Sequence, residues 1–148
     1  MRILNFEDDD CETYLKKLNE ENLFKGIVPS VRAQIRRAVR LYFEYVSNHT
    51  EVDNVEEGLE LLIQEKEAGN PFDLIITDMH YPMRKGEEGD FDAGEKLLGI
   101  LKERGIDTKV IICSSLNIKI REAYGCIWYS RISDWEMELL ELMNQLKK

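Results

Sequence analysis

Two patterns of apolar residues alternate along this chain. Short β-rich runs stand at Arg2 to Phe6, Val52 to Val55, Asp73 to Thr77, Lys109 to Cys113 and Cys126 to Tyr129, separated by longer stretches with helical spacing. That alternation predicts repeated βαβ units and a parallel sheet. Leu74-Ile75-Ile76 and Val110-Ile111-Ile112 are apolar at consecutive positions. Strands of that kind have no polar face to turn to water, so these two belong at the centre of a sheet covered by helices on both faces.

The helices carry their own start and stop signals. Asn54 is placed to cap a helix running through Leu59, Leu62 and Ile63 to about Glu67, with Gly69 as its left-handed terminator. Asp92 with Glu95, and Ser133 with Glu136, have the spacing at which a capping side chain and a carboxylate three residues on satisfy each other's backbone donors. Helices are therefore predicted just after Asp92 and Ser133. Gly105 closes the first of them, and the second runs to the C-terminus.

Two stretches are less regular. The connection between the first and second strands, residues 11–50, is long and contains Tyr14 to Asn19, a turn around Gly26 to Pro29, and a helix from Ser30 to about Ser47. The stretch Met83 to Phe91 is polar, contains Gly86 and Gly89, and reads as an enlarged exposed loop. No repeat, low-complexity tract or interdomain linker is present, so residues 1–148 are expected to form a single domain.

Composition narrows the function classes. At 148 residues, 43% hydrophobic and 33% charged, the chain has the make-up of an ordinary globule. Its formal net charge of -9 repels a phosphate backbone, which argues against direct nucleic-acid binding. Cys11, Cys113 and Cys126 are odd in number, widely spaced and without a Cys-x-x-Cys arrangement. That excludes neither thiol chemistry nor burial, but it argues against a disulfide framework or a zinc site and suits a reducing cytoplasm. No apolar run approaches the length of a membrane span or a signal-peptide core, so a cytoplasmic chain without membrane attachment is expected.

The candidate chemistry lies where strands end. The first strand runs into Glu7-Asp8-Asp9-Asp10, the third into Asp78, and the fourth into Ser114-Ser115. In an open parallel sheet the carboxyl ends of adjacent strands face one crevice, and ligands bind there at the switch point of strand order. Carboxylates gathered in such a crevice repel one another unless some protonate or a cation sits among them, and Mg²⁺ is the natural hard ion for oxygen donors. A carboxylate beside that ion becomes a competent nucleophile towards phosphorus, and a nearby hydroxyl such as that of Ser114 can hydrogen-bond the phosphoryl group. Taken singly, an acidic run after a strand is a solvated loop or a helix cap. It is the register of acids after the first and third strands, with a hydroxyl after the fourth, that joins them.

Those residues resemble the receiver module of two-component response regulators. Ile3 to Phe6 with Glu7-Asp8 is similar to its first strand and acidic pair. Asp73-Leu74-Ile75-Ile76-Thr77-Asp78, followed by Met79-His80-Tyr81-Pro82, resembles the phosphoacceptor segment with its proline four residues on. Val110-Ile111-Ile112-Cys113-Ser114-Ser115 resembles the fourth strand with its hydroxyl, and Gly125-Cys126-Ile127-Trp128-Tyr129 the fifth with its aromatic residue. The resemblance covers nearly the whole chain. It implies a doubly wound α/β fold, flavodoxin-like, with a five-stranded parallel sheet of order 2-1-3-4-5. It further implies Mg²⁺ held by Glu7, Asp8, Asp78 and the backbone carbonyl of His80, and phosphorylation of Asp78 by a histidine kinase or phosphotransfer protein. Ser114 and Tyr129 would be the hydroxyl and aromatic switch residues, and the output would pass to a downstream protein target.

The chain departs from that pattern in places. Receivers carry a lysine at the end of the fifth strand, where ungapped alignment from Gly125 and Tyr129 puts Ile132. A one-residue gap brings Arg131 there as a substitute, but a guanidinium is planar and bulkier than an ammonium. Lys85 is the other cation considered, from its loop. Glu7 stands where aspartate is commoner, and Asn5 interrupts the first strand.

Other residues have simpler readings. His80 either influences donor access or is the variable position after the acceptor, and His49 suits a helix end. Arg32, Arg36, Arg37 and Arg40 form a basic stripe, read as a solvated face before a docking surface for an acidic partner. Trp128 and Trp135 fall where receivers contact partners or pair as homodimers, and burial explains them equally well. Three functions remain in play: a stand-alone receiver with no attached DNA-binding domain, a degenerate receiver acting as an interaction module without phosphoryl turnover, and a haloacid-dehalogenase-like phosphohydrolase. The last wants a second aspartate where the chain has His80.

Overall fold

The computed structural model describes residues 2–6, 49–114, 116–128 and 135–146. In chain order its elements are β1 (Ile3–Phe6), β2 (His49–Val52), α1 (Val55–Glu67), β3 (Leu74–Thr77), β4 (Tyr81–Pro82), β5 (Gly89–Asp90), α2 (Ala93–Glu103), β6 (Lys109–Ser114), β7 (Gly125–Trp128) and α3 (Trp135–Leu146). Five strands form one sheet of order β2-β1-β3-β6-β7, with every pairing parallel. Counting only those five, the order is the predicted 2-1-3-4-5. The strands, α1 and α2 belong to one compact unit, and α3 beyond Trp135 to another.

The apolar runs sit where their composition sends them. Leu74 to Ile76 of β3 and Val110 to Ile112 of β6 are buried on both faces of the sheet. Leu4, Phe6, Ile75, Val110 and Ile112 share a core with Val55, Leu59 and Leu62 of α1 and Ala93, Leu97 and Leu101 of α2. On the opposite face Ile3, Leu74, Ile76, Ile111, Cys113 and Ile127 are buried too. Each large apolar side chain removed from water in this way contributes roughly 1.5–3 kcal/mol before entropy is counted. Helix α3 has a one-sided pattern of its own, with Leu139 buried and Glu138, Glu141 and Asn144 exposed.

The end signals of α1 are realised. Asn54 Oδ1 accepts from Glu57 N–H at 2.9 Å, and Gly69, at φ +80°, ends the helix with its N–H on Lys66 O at 3.1 Å. The same cap corrects the second strand. It was expected at Val52 to Val55, but β2 ends at Val52, because the capped turn claims Val55 as the first helical residue. Helix α2 starts after Asp92 as expected, without the side-chain cap: the Asp92 N–H donates to Asp90 Oδ1 at 2.8 Å instead. Ser133, the long first connection and its helix from Ser30 lie outside the described residues.

The stretch 83–91, expected as an enlarged exposed loop, is exposed at residues 84–89. β4 and β5 pair antiparallel, Tyr81 with Asp90 and Pro82 with Gly89, so the stretch closes as a short hairpin. The β6–β7 connection goes the other way: residues 116–124 contain no helix. They form a strap whose Ile118, Ile120 and Ala123 rest on the core, tied by Ile120 N–H to Cys126 Sγ at 3.2 Å.

Candidate functional site at the carboxyl edge of the sheet

Three of the sequence-predicted site residues, Asp78, His80 and Ser114, are described, and all three lie at or just past strand ends on one edge. Asp78 is the first residue past β3, half-buried, and its N–H donates to Phe6 O at 3.0 Å. That bond puts Asp78 beside the last residue of β1. β1 stands between β2 and β3, at the reversal of strand order where an open α/β sheet has its crevice. Ser114 ends the neighbouring strand β6 and is buried; since Thr77 is level with Ile112, Ser114 stands one position beyond Asp78 along that edge. Its hydroxyl oxygen accepts from Leu116 N–H at 3.1 Å. Glu7, Asp8, Tyr129 and Arg131 lie outside the described residues.

The carboxylate of Asp78 is held locally. Its Oδ1 accepts from Met79 N–H at 2.7 Å, and its carbonyl oxygen accepts from Thr77 Oγ1 at 2.8 Å. Thr77 and Tyr81 are fully buried, and their hydroxyls are 2.7 Å apart. The Tyr81 ring lies 5.9 Å from that of Phe6, which closes the cluster under β1. Helix α2 packs directly on the backbone here. A Cβ on Gly94 would fall 2.5 Å from Asp78 O, and Gly94 N–H donates to Met79 O at 3.3 Å.

His80 points away into the hairpin. Its ring stacks on Phe91 at 4.5 Å and 13°. A Cβ on Gly89 would meet its Nε2 at 2.5 Å, so a side chain there would displace the exposed imidazole. Beyond His80 the hairpin reaches α1, whose first turn follows β2 on the far side of β1. Glu56 N–H donates to Met83 O at 3.0 Å, Arg84 Nε pairs with Glu56 at 3.1 Å, and Lys85 Nζ lies 4.0 Å from Glu57. The hairpin thus runs across the end of β1, with the exposed Lys85 at its rim near Glu57. At the base of the hairpin Lys96 hydrogen-bonds Asp90. That bond, helped by the Asp92 N–H, holds the Asp90 carboxyl below the usual carboxylate range, and Asp90 raises the Lys96 ammonium above its ordinary value.

Among the described residues no group of three or more His, Cys, Asp or Glu side chains is gathered as a metal site, and no helix is long and apolar enough to cross a membrane. Asp78 is the one carboxylate of the expected trio within those residues.

No family model matches the chain, and no curated protein matches it in sequence. Solved structures do match in shape. The Francisella response regulator 1452 receiver domain aligns over 98% of this chain and 94% of its own, at 21% identity and TM-score 0.54. Response regulator protein TrrA from Thermotoga maritima, solved in complex with Mg²⁺-BeF, aligns over 98% and 97%, at 21% identity and TM-score 0.50. The receiver domain of the histidine kinase CKI1 from Arabidopsis thaliana, complexed with Mg²⁺ and BeF₃⁻, aligns over 99% and 89%, at 18% identity and TM-score 0.50. This is the receiver fold. Within the receiver fold, Asp78, Thr77 and Tyr81 cluster where β3 meets β1. Thr77, Tyr81 and Gly94 were not singled out from the sequence. The available signal was a pair of hydroxyl residues flanking Asp78 and a glycine in the first turn of a helix.

Proposed function

We propose that the chain is a receiver module whose Asp78 accepts a phosphoryl group from a histidine kinase or phosphotransfer protein and that it signals, in the cytoplasm, by binding a protein target. The observation that carries this reading is the placement of Asp78 beside the end of β1, at the switch point of a 2-1-3-4-5 sheet. Two acidic residues, Glu7 and Asp8, follow that strand directly in the sequence. The donor set fits a hard divalent cation, being all oxygen: the carboxylates of Glu7, Asp8 and Asp78 and the backbone carbonyl of His80 would hold Mg²⁺. Bound there, the ion supplies charge neutralisation for the carboxylate and for the phosphoryl oxygens.

The protein's own part is positioning. Met79 N–H holds one carboxylate oxygen of Asp78 in place. An Asp78 oxygen forms a bond to phosphorus as the donor's phosphorus–nitrogen bond breaks, and the departing imidazole keeps that electron pair and takes up a proton. Ser114, one position along the neighbouring strand, would donate its hydroxyl hydrogen to the new phosphoryl group while its oxygen accepts from Leu116 N–H. Tyr129 would then relay the change, and the occupied state would favour one of two surface arrangements. Arg131 is the candidate for the cation beyond the fifth strand.

Incubation with acetyl phosphate and Mg²⁺, followed by intact-mass measurement, tests the reading. A mass gain of one phosphoryl group that vanishes in Asp78→Asn is the expected result. No gain in the parent chain would leave the second reading, an interaction module without phosphoryl turnover. That reading is favoured by the absence of lysine from Tyr129 to Asp134.

A further inference from the structure

Beneath Asp78 lies a polar chain made of groups that a sheet core ordinarily excludes. Thr77 and Tyr81 are both fully buried, yet both carry hydroxyls, and a buried hydroxyl must be satisfied or it destabilises the fold. The hydrogens can be counted. Thr77 has one hydroxyl hydrogen, and it is directed at Asp78 O at 2.8 Å. At the 2.7 Å contact between the two hydroxyls, Tyr81 must therefore be the donor and Thr77 the acceptor. The sequence of donors is Tyr81 Oη to Thr77 Oγ1 to Asp78 O.

The next link is covalent. The Asp78 carbonyl and the Met79 N–H belong to the same planar, trans peptide unit. Fixing the carbonyl fixes the direction of that N–H, and that N–H is the donor to Asp78 Oδ1 at 2.7 Å. The Tyr81 phenol is thus connected to the carboxylate through two hydrogen bonds, one rigid plane and a third hydrogen bond. Helix α2 packs against this same peptide at Gly94, where a Cβ would fall 2.5 Å from Asp78 O, and the Asp78 N–H bond to Phe6 O at 3.0 Å fixes the residue from the β1 side.

We propose that Tyr81 is a positioning residue for Asp78, acting through Thr77 and the Asp78–Met79 peptide plane to hold the carboxylate in the orientation used for phosphoryl acceptance. The proposal rests on Asp78 being the phosphoacceptor, but its structural half can be tested apart from that. Tyr81→Phe removes one oxygen atom from the far end of the chain and leaves the ring packing in place. Thr77→Val breaks the relay, and Thr77→Ser preserves its hydroxyl.

Two measurements are made on each full-length variant: amide hydrogen exchange at Met79, with Ile75 and Ile111 as core references, and the rate of phosphorylation by acetyl phosphate with Mg²⁺. Loss of one net hydrogen bond predicts Met79 exchange about fivefold faster in Tyr81→Phe and Thr77→Val with the references unmoved. Thr77→Ser should restore wild-type protection. The phosphorylation rate should fall in the same rank order, by about fivefold in Tyr81→Phe. The Tyr81→Phe/Thr77→Val double variant should be no slower than Thr77→Val alone, because both changes cut one path.

Met79 exchange that is unchanged in Tyr81→Phe, or that rises only in step with Ile75 and Ile111, would overturn the proposal by reducing Tyr81 to a packing residue. If the wild-type chain takes up no phosphate, the phosphoacceptor reading fails, and the exchange pattern still decides whether the relay holds the carboxylate.

Discussion

Two connections leave the carboxyl edge of the same sheet, and they are built differently. The one after β3 is overbuilt. It folds a hairpin onto α1 and then enters α2 at Gly94, where the backbones are in direct contact. The one after β6 is underbuilt: residues 116–124 return to β7 as a strap where parallel strands usually take a helix. A groove of about 690 Å³ is left between α2 and this strap, lined by Leu98, Gly99 and Lys102 on one side and Ile120, Ala123 and Tyr124 on the other. The difference falls on the two predicted site residues. Around Asp78 the N–H, the carbonyl and one carboxylate oxygen each have a partner at 3.0 Å or less, whereas the Ser114 hydroxyl holds only the first turn of its strap at 3.1 Å. A fixed carboxylate next to a hydroxyl with a loose connection is the arrangement in which the second can move while the first stays put.

The largest test of this contrast is Gly94→Ala. The new methyl would fall 2.5 Å from Asp78 O and 3.1 Å from Met79 Sδ, and backbone must move to admit it. Overpacking of this kind costs about 1–3 kcal/mol, and the better helix propensity of alanine offsets at most ~1 kcal/mol. A urea midpoint equal to that of the parent would mean that the first connection is not tightly docked. On the strap, Ile120→Ala removes a half-buried side chain, for which about 1–2 kcal/mol is expected. If the strap is the looser element, the amides of 118–124 should exchange by local opening in this variant while those of α2 keep the global rate. Equal acceleration of both would erase the distinction.

The sequence was most readable where burial is two-sided. Leu74 to Ile76 and Val110 to Ile112 identify central strands because no polar face interrupts them. β2 was displaced by three residues because among the described residues it is an edge strand, paired with β1 alone, and its His49-Thr50-Glu51 carries no apolar run. The hairpin has two residue pairs, too few to show alternation. Asp78 was legible from its position after a buried strand. Its supports were not: Thr77 and Tyr81 look like ordinary hydroxyl residues until tertiary packing buries both. The remaining parts of the expected site, Glu7, Asp8, Tyr129 and Arg131, fall outside the described residues.

Smaller effects belong to the rim of the hairpin. Arg84 and Glu56 are 69% and 53% exposed, so their pairing at 3.1 Å is screened by solvent. Arg84→Ala should cost about 0.5 kcal/mol or less, and the cost should shrink further at 1 M salt. A loss above about 1 kcal/mol would show that the hairpin is latched to α1 by charge and not by the Met83 carbonyl bond alone.

The smallest effect has a defined sign. Asp90 is held below the ordinary carboxylate value, first by its hydrogen bond from Lys96 and then by the Asp92 N–H. A depressed folded-state value means that the unfolded chain binds the proton more readily. The contribution is therefore complete above the unfolded carboxyl value of about 4 and is lost as pH falls through the lower folded value. Lys96 is raised by the same partner, so its contribution is complete below the unfolded ammonium value of about 10.4 and is lost as pH climbs through the higher folded one. Between those limits the pair adds no pH dependence. Comparing the parent with Lys96→Met, the difference in unfolding free energy should be flat from about pH 5 to 9 and narrow on the acid side. Because the pair closes the hairpin at β5, the narrowing should be accompanied by faster exchange at Asp92 N–H while the Met79 amide keeps its protection. A difference that varied across neutral pH would overturn the assignment of the acid-side narrowing to the Asp90–Lys96 pair.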